Sequence, residues 1–244
     1  IVKQLQSGDP KQMDEAFVTV ANTLTSGNPY APFNNPELIR GVWEKHKKAM
    51  NDAYEPGKFT TLIAFEWTSM PLNQNLHRNV FFRDDEGPGT VFSAFDSDRP
   101  EDLWTYMEGQ RNLGHDCFSI SHNGNISNSL MFEPVDSEGN PFDVRYAKRH
   151  QKNEIAHEIH QVKSSSDTHP TLSPNDEFAN FELLFNGLIG TNGPVVISRI
   201  DYGFIRQALG NGLQFEDKSG VNPFKLGIVG GADSHTALSV NEEF

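Results

Sequence analysis

Short apolar segments alternate along this chain with segments of helical spacing, and this alternation predicts an α/β protein. Four runs of apolar or β-branched residues, and one in which apolar and polar residues alternate, are typical of strands. The predicted strands are residues 59–65, 80–82, 116–121, 155–162 and 226–230. The predicted helices are residues 1–27, 36–54, 100–108, 143–154 and 202–210. Asn35 suits the cap of the second helix, and Pro36 suits its first position.

Acidic or imidazole side chains stand in or just after four of the predicted strands. Glu66 and His122 each follow an apolar run directly, and Glu158 lies in the alternating strand. Two glycines after the last strand lead into the sequence Asp233-Ser-His235. Because binding sites in α/β folds lie at the carboxyl ends of the strands, we expect these side chains to converge there.

The ligand types predict the metal. Histidine and carboxylate without thiolate favour manganese, iron or zinc. The single cysteine, Cys117, excludes both an internal disulfide and a cysteine-based zinc site. Position alone leaves alternatives open for Glu66 and for His77, which shortly precedes the second predicted strand. Glu66 would also serve as a helix cap or an ion-pair partner, and His77 would also serve as a hydrogen-bonded loop residue.

Three cationic or titratable side chains are candidates for catalysis near such a metal. Arg78 suits phosphate or carboxylate because its planar fork donates two parallel hydrogen bonds. Lys163 opens the polar stretch 163–170, which suits an anion-binding loop, although a serine-rich surface loop explains the same composition. Together with His169, these residues would neutralise phosphate charge or protonate the leaving group. We assign substrate binding to Arg78, Lys163 and Asn123.

The composition excludes several other classes of protein. A net charge of −13 over 244 residues argues against binding to a nucleic-acid backbone. No apolar run is long enough for a transmembrane helix, so no membrane partner is expected. The chain also lacks the P-loop, GxGxxG, GxSxG and HExxH motifs. It opens on Ile1 instead of Met, so we expect an internal piece of a longer protein, which leaves the compartment open between cytoplasm and periplasm.

Six stretches in combination resemble an uncharacterised bacterial branch of the PHP (polymerase and histidinol phosphatase) superfamily. These stretches are residues 65–69, 75–79, 121–125, 168–177, 220–225 and 232–235. The resemblance covers most of the chain from about Pro56 onward. It implies a distorted TIM-like (β/α)7 barrel over residues 56–244, with residues 1–55 as a helical insertion or linker region.

The resemblance also implies a reaction and a set of ligands. PHP domains hold up to three divalent metals, and most characterised members hydrolyse phosphate esters. Two or three ions of manganese, iron or zinc, with a metal-bound hydroxide, would then act on a small phosphate ester or other oxyanion. The ligands implied by the resemblance are Glu66, His77, His122, Asp233 and His235.

One departure from the family pattern concerns the first strand. PHP domains begin with an H-x-H pair there, and this chain contains no H-x-H. We therefore expect the first strands of the barrel to be lacking in this chain, with a separate N-terminal fragment of the same protein as a partner. Two alternative functions stay open, a non-catalytic metal- or ligand-binding barrel module and a hydrolase of another ester such as a sulfate.

Overall fold

The computed structural model describes residues 1–26, 35–184 and 197–234. The helices are α1 (Val2–Leu5), α2 (Pro10–Ser26), α3 (Pro36–Ala53), α4 (Pro100–Asn112), α5 (Val144–Asn153) and α6 (Ile205–Ser219). The strands are β1 (Ile63–Trp67), β2 (Arg78–Phe82), β3 (Cys117–Ser121), β4 (Glu154–Gln161), β5 (Ser164–Ser165) and β6 (Gly227–Gly230). Among the described helices, none combines the length and the apolar character that crossing a membrane requires.

One mixed sheet of six strands forms the centre of the described structure. The strands β1, β2 and β3 form consecutive antiparallel pairs. The longer strand β4 runs parallel to β3 and also parallel to β6. The short strand β5 pairs antiparallel with the end of β4. The sheet is therefore antiparallel in its first half and mainly parallel in its second half.

The predicted TIM-like (β/α)7 barrel is wrong for this chain. Over the described residues the sheet is open, and no pairing joins β1 to β6. A barrel of this type needs parallel strands, each followed by a helix on the outside. Here β1 and β2 are instead antiparallel, and only a short 3-10 turn at Pro71–Asn73 lies between them. Periodicity identifies a strand but carries no information on the direction in which it pairs.

Local predictions were closer to the structure. Asn35 caps α3, since its side-chain oxygen accepts hydrogen bonds from the backbone N–H groups of Glu37 and Leu38 at 2.9 and 3.3 Å. The helix predicted to end at Gly210 continues as α6 to Ser219 and ends at Gly220, whose φ of +77° suits a residue without a side chain.

Two apolar clusters hold these elements together. The larger one joins the sheet to α3 and α4 and consists of Trp43, Ile63, Trp67, Val80, Phe82, Leu103, Trp104, Met107 and Cys117. The second lies around α6 and consists of Leu76, Met131, Phe132, Ile205, Ala208 and Phe224. In β2, Arg78 is buried on the same face as Val80 and Phe82, and the positions between them are half-buried. Because adjacent strand residues point to opposite faces, His77 and Arg78 are directed to opposite sides of the sheet.

Candidate metal centre

Three side chains, those of Glu66, His77 and His122, meet at one edge of the sheet. Glu66 Oε1 lies 2.8 Å from His77 Nδ1 and 3.1 Å from His122 Nε2. One ligand atom from each residue lies within 4.8 Å of the others. Ligand atoms that share an ion at about 2.1 Å are roughly 3–4 Å apart, so the three residues need only small movements to bind one. This group could hold a metal ion.

The antiparallel half of the sheet explains why these residues come together. The register aligns the last residue of β1 with the first residue of β2 and the last residue of β3. Glu66 is the penultimate residue of β1, His77 immediately precedes β2, and His122 immediately follows β3. Since β2 runs against its neighbours, a residue before β2 meets residues at the ends of β1 and β3.

Buried nitrogens without partners distinguish this group from an ordinary hydrogen-bonded cluster. His77 is 6% exposed and His122 is fully buried. In the described part of the chain, both ring nitrogens of His77 and Nδ1 of His122 lack a hydrogen bond. His77 Nδ1 is near Glu66 Oε1 without meeting hydrogen-bond geometry. Because a buried polar atom without a partner is costly, the imidazoles suit a metal better than an empty site.

The protonation states also suit a metal. Burial opposes the charged form of Glu66, but the adjacent imidazoles of His122 and His77 hold the pKa of its carboxyl below the ordinary value. Burial lowers the pKa of His77, which favours the neutral ring. An ionised carboxylate and a neutral imidazole are the forms that bind metal ions.

The structure brings three of the five predicted ligands together. A fourth, Asp233, forms an ion pair with Lys163 Nζ and accepts a hydrogen bond from Gln161 Nε2 at 3.1 Å. The fifth, His235, lies outside the described residues. Glu158, which the strand pattern also predicted to converge here, accepts a hydrogen bond from Gln161 Nε2 at 3.2 Å.

Two of the predicted substrate-binding residues lie next to the three ligands. Asn123 follows His122 directly and is fully buried. The ammonium of Lys163 lies within electrostatic range of the Glu66 and Glu158 carboxylates. Burial lowers the pKa of Lys163, and these two carboxylates oppose that effect. A positive charge and an amide therefore border the candidate metal centre.

Arg78, predicted to bind and activate the substrate, is engaged inside the protein. Its Nε donates to Glu154 Oε1 at 3.0 Å, and a terminal nitrogen donates to the carbonyl of Leu76 at 2.6 Å. Trp104 Nε1 donates to the same oxygen of Glu154 at 3.1 Å. The guanidinium also lies over the ring of Trp67, 5.9 Å from its centroid. These contacts give Arg78 a structural role.

His169, one of the predicted catalytic residues, packs beside α6. Its ring centroid lies 5.8 Å from that of Phe204, and its Nδ1 accepts a hydrogen bond from the backbone N–H of Thr171 at 3.2 Å. Neither partner belongs to the candidate metal centre.

Two buried polar residues of β4 were missed by the sequence reasoning. Gln161 donates to Asn123 Oδ1 at 3.1 Å, in addition to its bonds with Glu158 and Asp233. His157 Nδ1 lies 2.9 Å from Ser121 Oγ, one residue before His122. Burial, with the charges of His122 and Arg78, lowers the pKa of His157 to about 3. The only signal in the sequence was a predicted strand with so many polar residues that some had to be buried.

Fold and site together define a mixed α/β protein with a candidate metal centre at one edge of its sheet. The family model described as protein of unknown function (DUF3604) matches residues 1–244, and the chain belongs to this family. Searches of curated proteins and of solved structures found no match. The function of the chain therefore has to be inferred from the geometry of the site.

Proposed function

We propose that this chain is a metal-dependent hydrolase that cleaves phosphate esters. The observation that carries the proposal is the convergence of Glu66, His77 and His122, with Lys163 and Asn123 beside them. One carboxylate and two imidazoles suit manganese, iron or zinc. An ammonium and an amide donor next to such a metal suit a tetrahedral oxyanion. The resemblance to the PHP superfamily supports the same class of reaction.

The donor set fits one ion with positions left for water and substrate. A metal held by Glu66, His77 and His122 would supply Lewis-acid chemistry to the hydrolysis of the ester. The family resemblance predicts two or three ions. Additional ions would need the second oxygen of Glu66 together with Asp233 and His235.

The chain's own residues would bind and orient the substrate. Lys163 keeps its side chain 31% exposed, so its ammonium can exchange Asp233 for an oxygen of a phosphate group. Asn123 would donate from its amide. We leave Arg78 out of this proposal, because its hydrogen bonds go to Glu154 and Leu76.

A carboxylate and two histidines also form the iron site of many oxygenases. The adjacent Lys163 and Asn123 favour an oxyanion substrate, and hence hydrolysis, over that chemistry. The same two donors would bind a sulfate as readily as a phosphate, so sulfate esters belong in the substrate screen.

The second candidate is a metal- and oxyanion-binding module without turnover. It is favoured by the contacts of Arg78, a predicted catalytic residue whose donors are engaged by Glu154 and the carbonyl of Leu76.

The decisive experiment measures bound metal and ester hydrolysis in the same samples. The protein would be loaded with Mn²⁺, Fe²⁺ or Zn²⁺, analysed for metal by mass spectrometry, and assayed on aryl phosphate monoesters, diesters and sulfates. We expect His122→Ala to lose metal and hydrolysis together. His115→Ala is the matched control. His115 also pairs with a carboxylate, Asp84, at 3.1 Å, but it precedes β3 instead of following it.

Each outcome selects one interpretation. Hydrolysis that disappears in His122→Ala and persists in His115→Ala supports the hydrolase. Stoichiometric metal and phosphate binding without turnover of any ester supports the binding module. Full metal content in His122→Ala would overturn the metal centre itself.

A further inference from the structure

Gln161, at the end of β4, is 3% exposed, and its amide is surrounded by groups of the proposed site. Its Nε2 lies 3.1 Å from Asn123 Oδ1, 3.2 Å from Glu158 Oε2 and 3.1 Å from Asp233 Oδ2. Its Oε1 accepts a hydrogen bond from the backbone N–H of Lys163 at 3.0 Å. A single buried amide thus joins four residues at this edge of the sheet.

The hydrogen-bond partners fix which way the Gln161 amide faces. The backbone N–H of Lys163 can only donate, so the atom of Gln161 that faces it must be the oxygen. The amide nitrogen then faces Glu158 and Asp233, where an oxygen would meet two carboxylates. The hydrogen-bond partners on both sides of the amide therefore give the same orientation.

The orientation of Gln161 in turn fixes that of Asn123. Because Gln161 presents a donor, Asn123 must present its oxygen, and its Nδ2 points away from Gln161. Nδ2 is buried and has no hydrogen-bond partner in the described part of the chain. The backbone of Asn123 is held in the left-handed region at φ 54° and ψ 40°, directly after His122. A buried donor that lacks a partner needs one from a ligand or an ordered water.

We propose that Gln161 is a positioning residue that turns the Asn123 amide so that Nδ2 donates to an oxyanion held at the metal centre. This inference rests on the proposed function, since it concerns how the same site binds its substrate. The hydrogen-bond sequence runs from the backbone of Lys163 through Gln161 to Asn123. The same nitrogen of Gln161 donates a hydrogen bond to Asp233, which is the ion-pair partner of Lys163. Gln161 therefore contacts the surroundings of both proposed anion donors, Asn123 and Lys163.

The experiment is a double-mutant cycle on phosphate binding. Inorganic phosphate would be titrated calorimetrically into the Mn²⁺-loaded full chain, with manganese content measured on each sample. Gln161→Glu presents an acceptor where Asn123 needs a donor, so the Asn123 amide turns over and its Nδ2 no longer faces the anion. Asn123→Gly removes the donor and tolerates the positive φ. Each variant should weaken phosphate binding about tenfold, as expected for one lost hydrogen bond to a charged group.

The diagnostic result is non-additivity. If Gln161 acts through Asn123, the double variant binds phosphate about as weakly as either single variant, and manganese content stays at the wild-type level. Losses that add in the double variant would mean that the new carboxylate simply repels phosphate, and they would overturn the proposal. Gln110→Glu, the same charge change on α4, controls for the overall charge and should bind phosphate as the wild type does.

Three further outcomes would also overturn it. Unchanged phosphate affinity in Asn123→Gly would mean that Nδ2 meets only water. Wild-type protein that holds manganese but binds no phosphate would remove the oxyanion site of the proposed function, and this inference with it. Phosphate binding that is normal in the wild type and in Gln161→Glu would remove the inference and leave the proposed function standing.

Discussion

His77 and Arg78 are neighbours in sequence, yet they belong to two different charged clusters. His77 joins Glu66 and His122 in the candidate metal centre. Arg78 joins Glu154 and Trp104 in a buried ion-pair network, in which both charged side chains are no more than 3% exposed. The ion-pair network directs its donors to acceptors inside the protein. The metal centre leaves imidazole nitrogens buried without partners.

The difference shows what marks a binding site in this protein. Burial and charge are common to both clusters, so neither identifies a site. Unmet bonding capacity separates the two clusters. His77 and His122 have buried ring nitrogens without a hydrogen-bond partner in the described chain, whereas no side-chain atom of Arg78, Glu154 or Trp104 is in that state. If this distinction holds, the ion-pair network stabilises the fold and the candidate metal centre binds a ligand.

The largest expected effect is on stability in the ion-pair network. Glu154→Gln should lower the free energy of unfolding by about 3–5 kcal/mol, because it leaves the charge of Arg78 buried without its carboxylate. Urea denaturation of the metal-free protein measures this. Glu55→Gln is the control, since Glu55 and Lys58 form an exposed pair whose loss should matter little. Equal effects in both variants would contradict a structural role for Arg78.

The same change from Glu to Gln in the candidate metal centre should mainly affect metal affinity, with a smaller effect on the stability of the metal-free protein. Glu66→Gln should weaken manganese binding at least about 100-fold, because even partners outside the ligand set cost 10- to 100-fold. Its metal-free stability should change less than that of Glu154→Gln. Manganese at about 100 times its Kd should stabilise the wild type by about 2.7 kcal/mol and the variant hardly at all. Thermal unfolding with and without manganese tests this, and equal stabilisation would exclude Glu66 as a ligand.

His157 is influenced by the charges of one residue from each cluster, His122 and Arg78, and its titration should make stability depend on pH. Burial, with the charges of His122 and Arg78, lowers its pKa from 6.5 to about 3. Below about pH 6.5 the unfolded state takes up a proton that the folded state does not, so stability falls as the pH falls. Between about pH 6.5 and 5 this should remove about 2 kcal/mol. His157→Gln should flatten the profile by that amount in denaturation series with a chelator, and parallel profiles would refute the shift.

The smallest expected effect concerns the cation beside the metal centre. Lys163→Met should leave the manganese content unchanged and weaken binding of inorganic phosphate about tenfold, because it removes one charged donor. Lys152→Met, the same change on the exposed face of α5, is the control. If the two variants bind phosphate equally well, Lys163 does not contact the oxyanion.

Much of the local structure could be predicted from the sequence, because it depends on neighbouring residues. Hydrophobic spacing located the strands, and Asn35 with Pro36 located the start of α3. The position of Glu66 and His122 beside strand ends identified both as candidate ligands, whereas His77 was a candidate through the family resemblance. These signals lie within a few residues of the feature that they predict.

Features that depend on distant partners could not be predicted in this way. The antiparallel direction of β2, which overturned the barrel, is set by packing against both neighbouring strands. Arg78 was predicted to bind substrate, and its structural role was not visible because its partner Glu154 lies 76 residues further along the chain. Gln161 was missed for the same reason. Its role depends on Asn123 and Asp233, which are remote from it in sequence.

The alternation of His77 and Arg78 also protects the chain against errors in strand pairing. A slip of β2 by one residue would exchange the faces of the two side chains. The guanidinium of Arg78 would then lie in the candidate metal centre, and the neutral ring of His77 would face Glu154 in the core. The slip would break the buried ion pair and the candidate metal centre together, so a misaligned strand would lose both sets of interactions. The ion pair between Arg78 and Glu154 therefore favours the register of β2 that places His77 in the candidate metal centre. An insertion or deletion in the loop before β2 should be tolerated only if this register is kept.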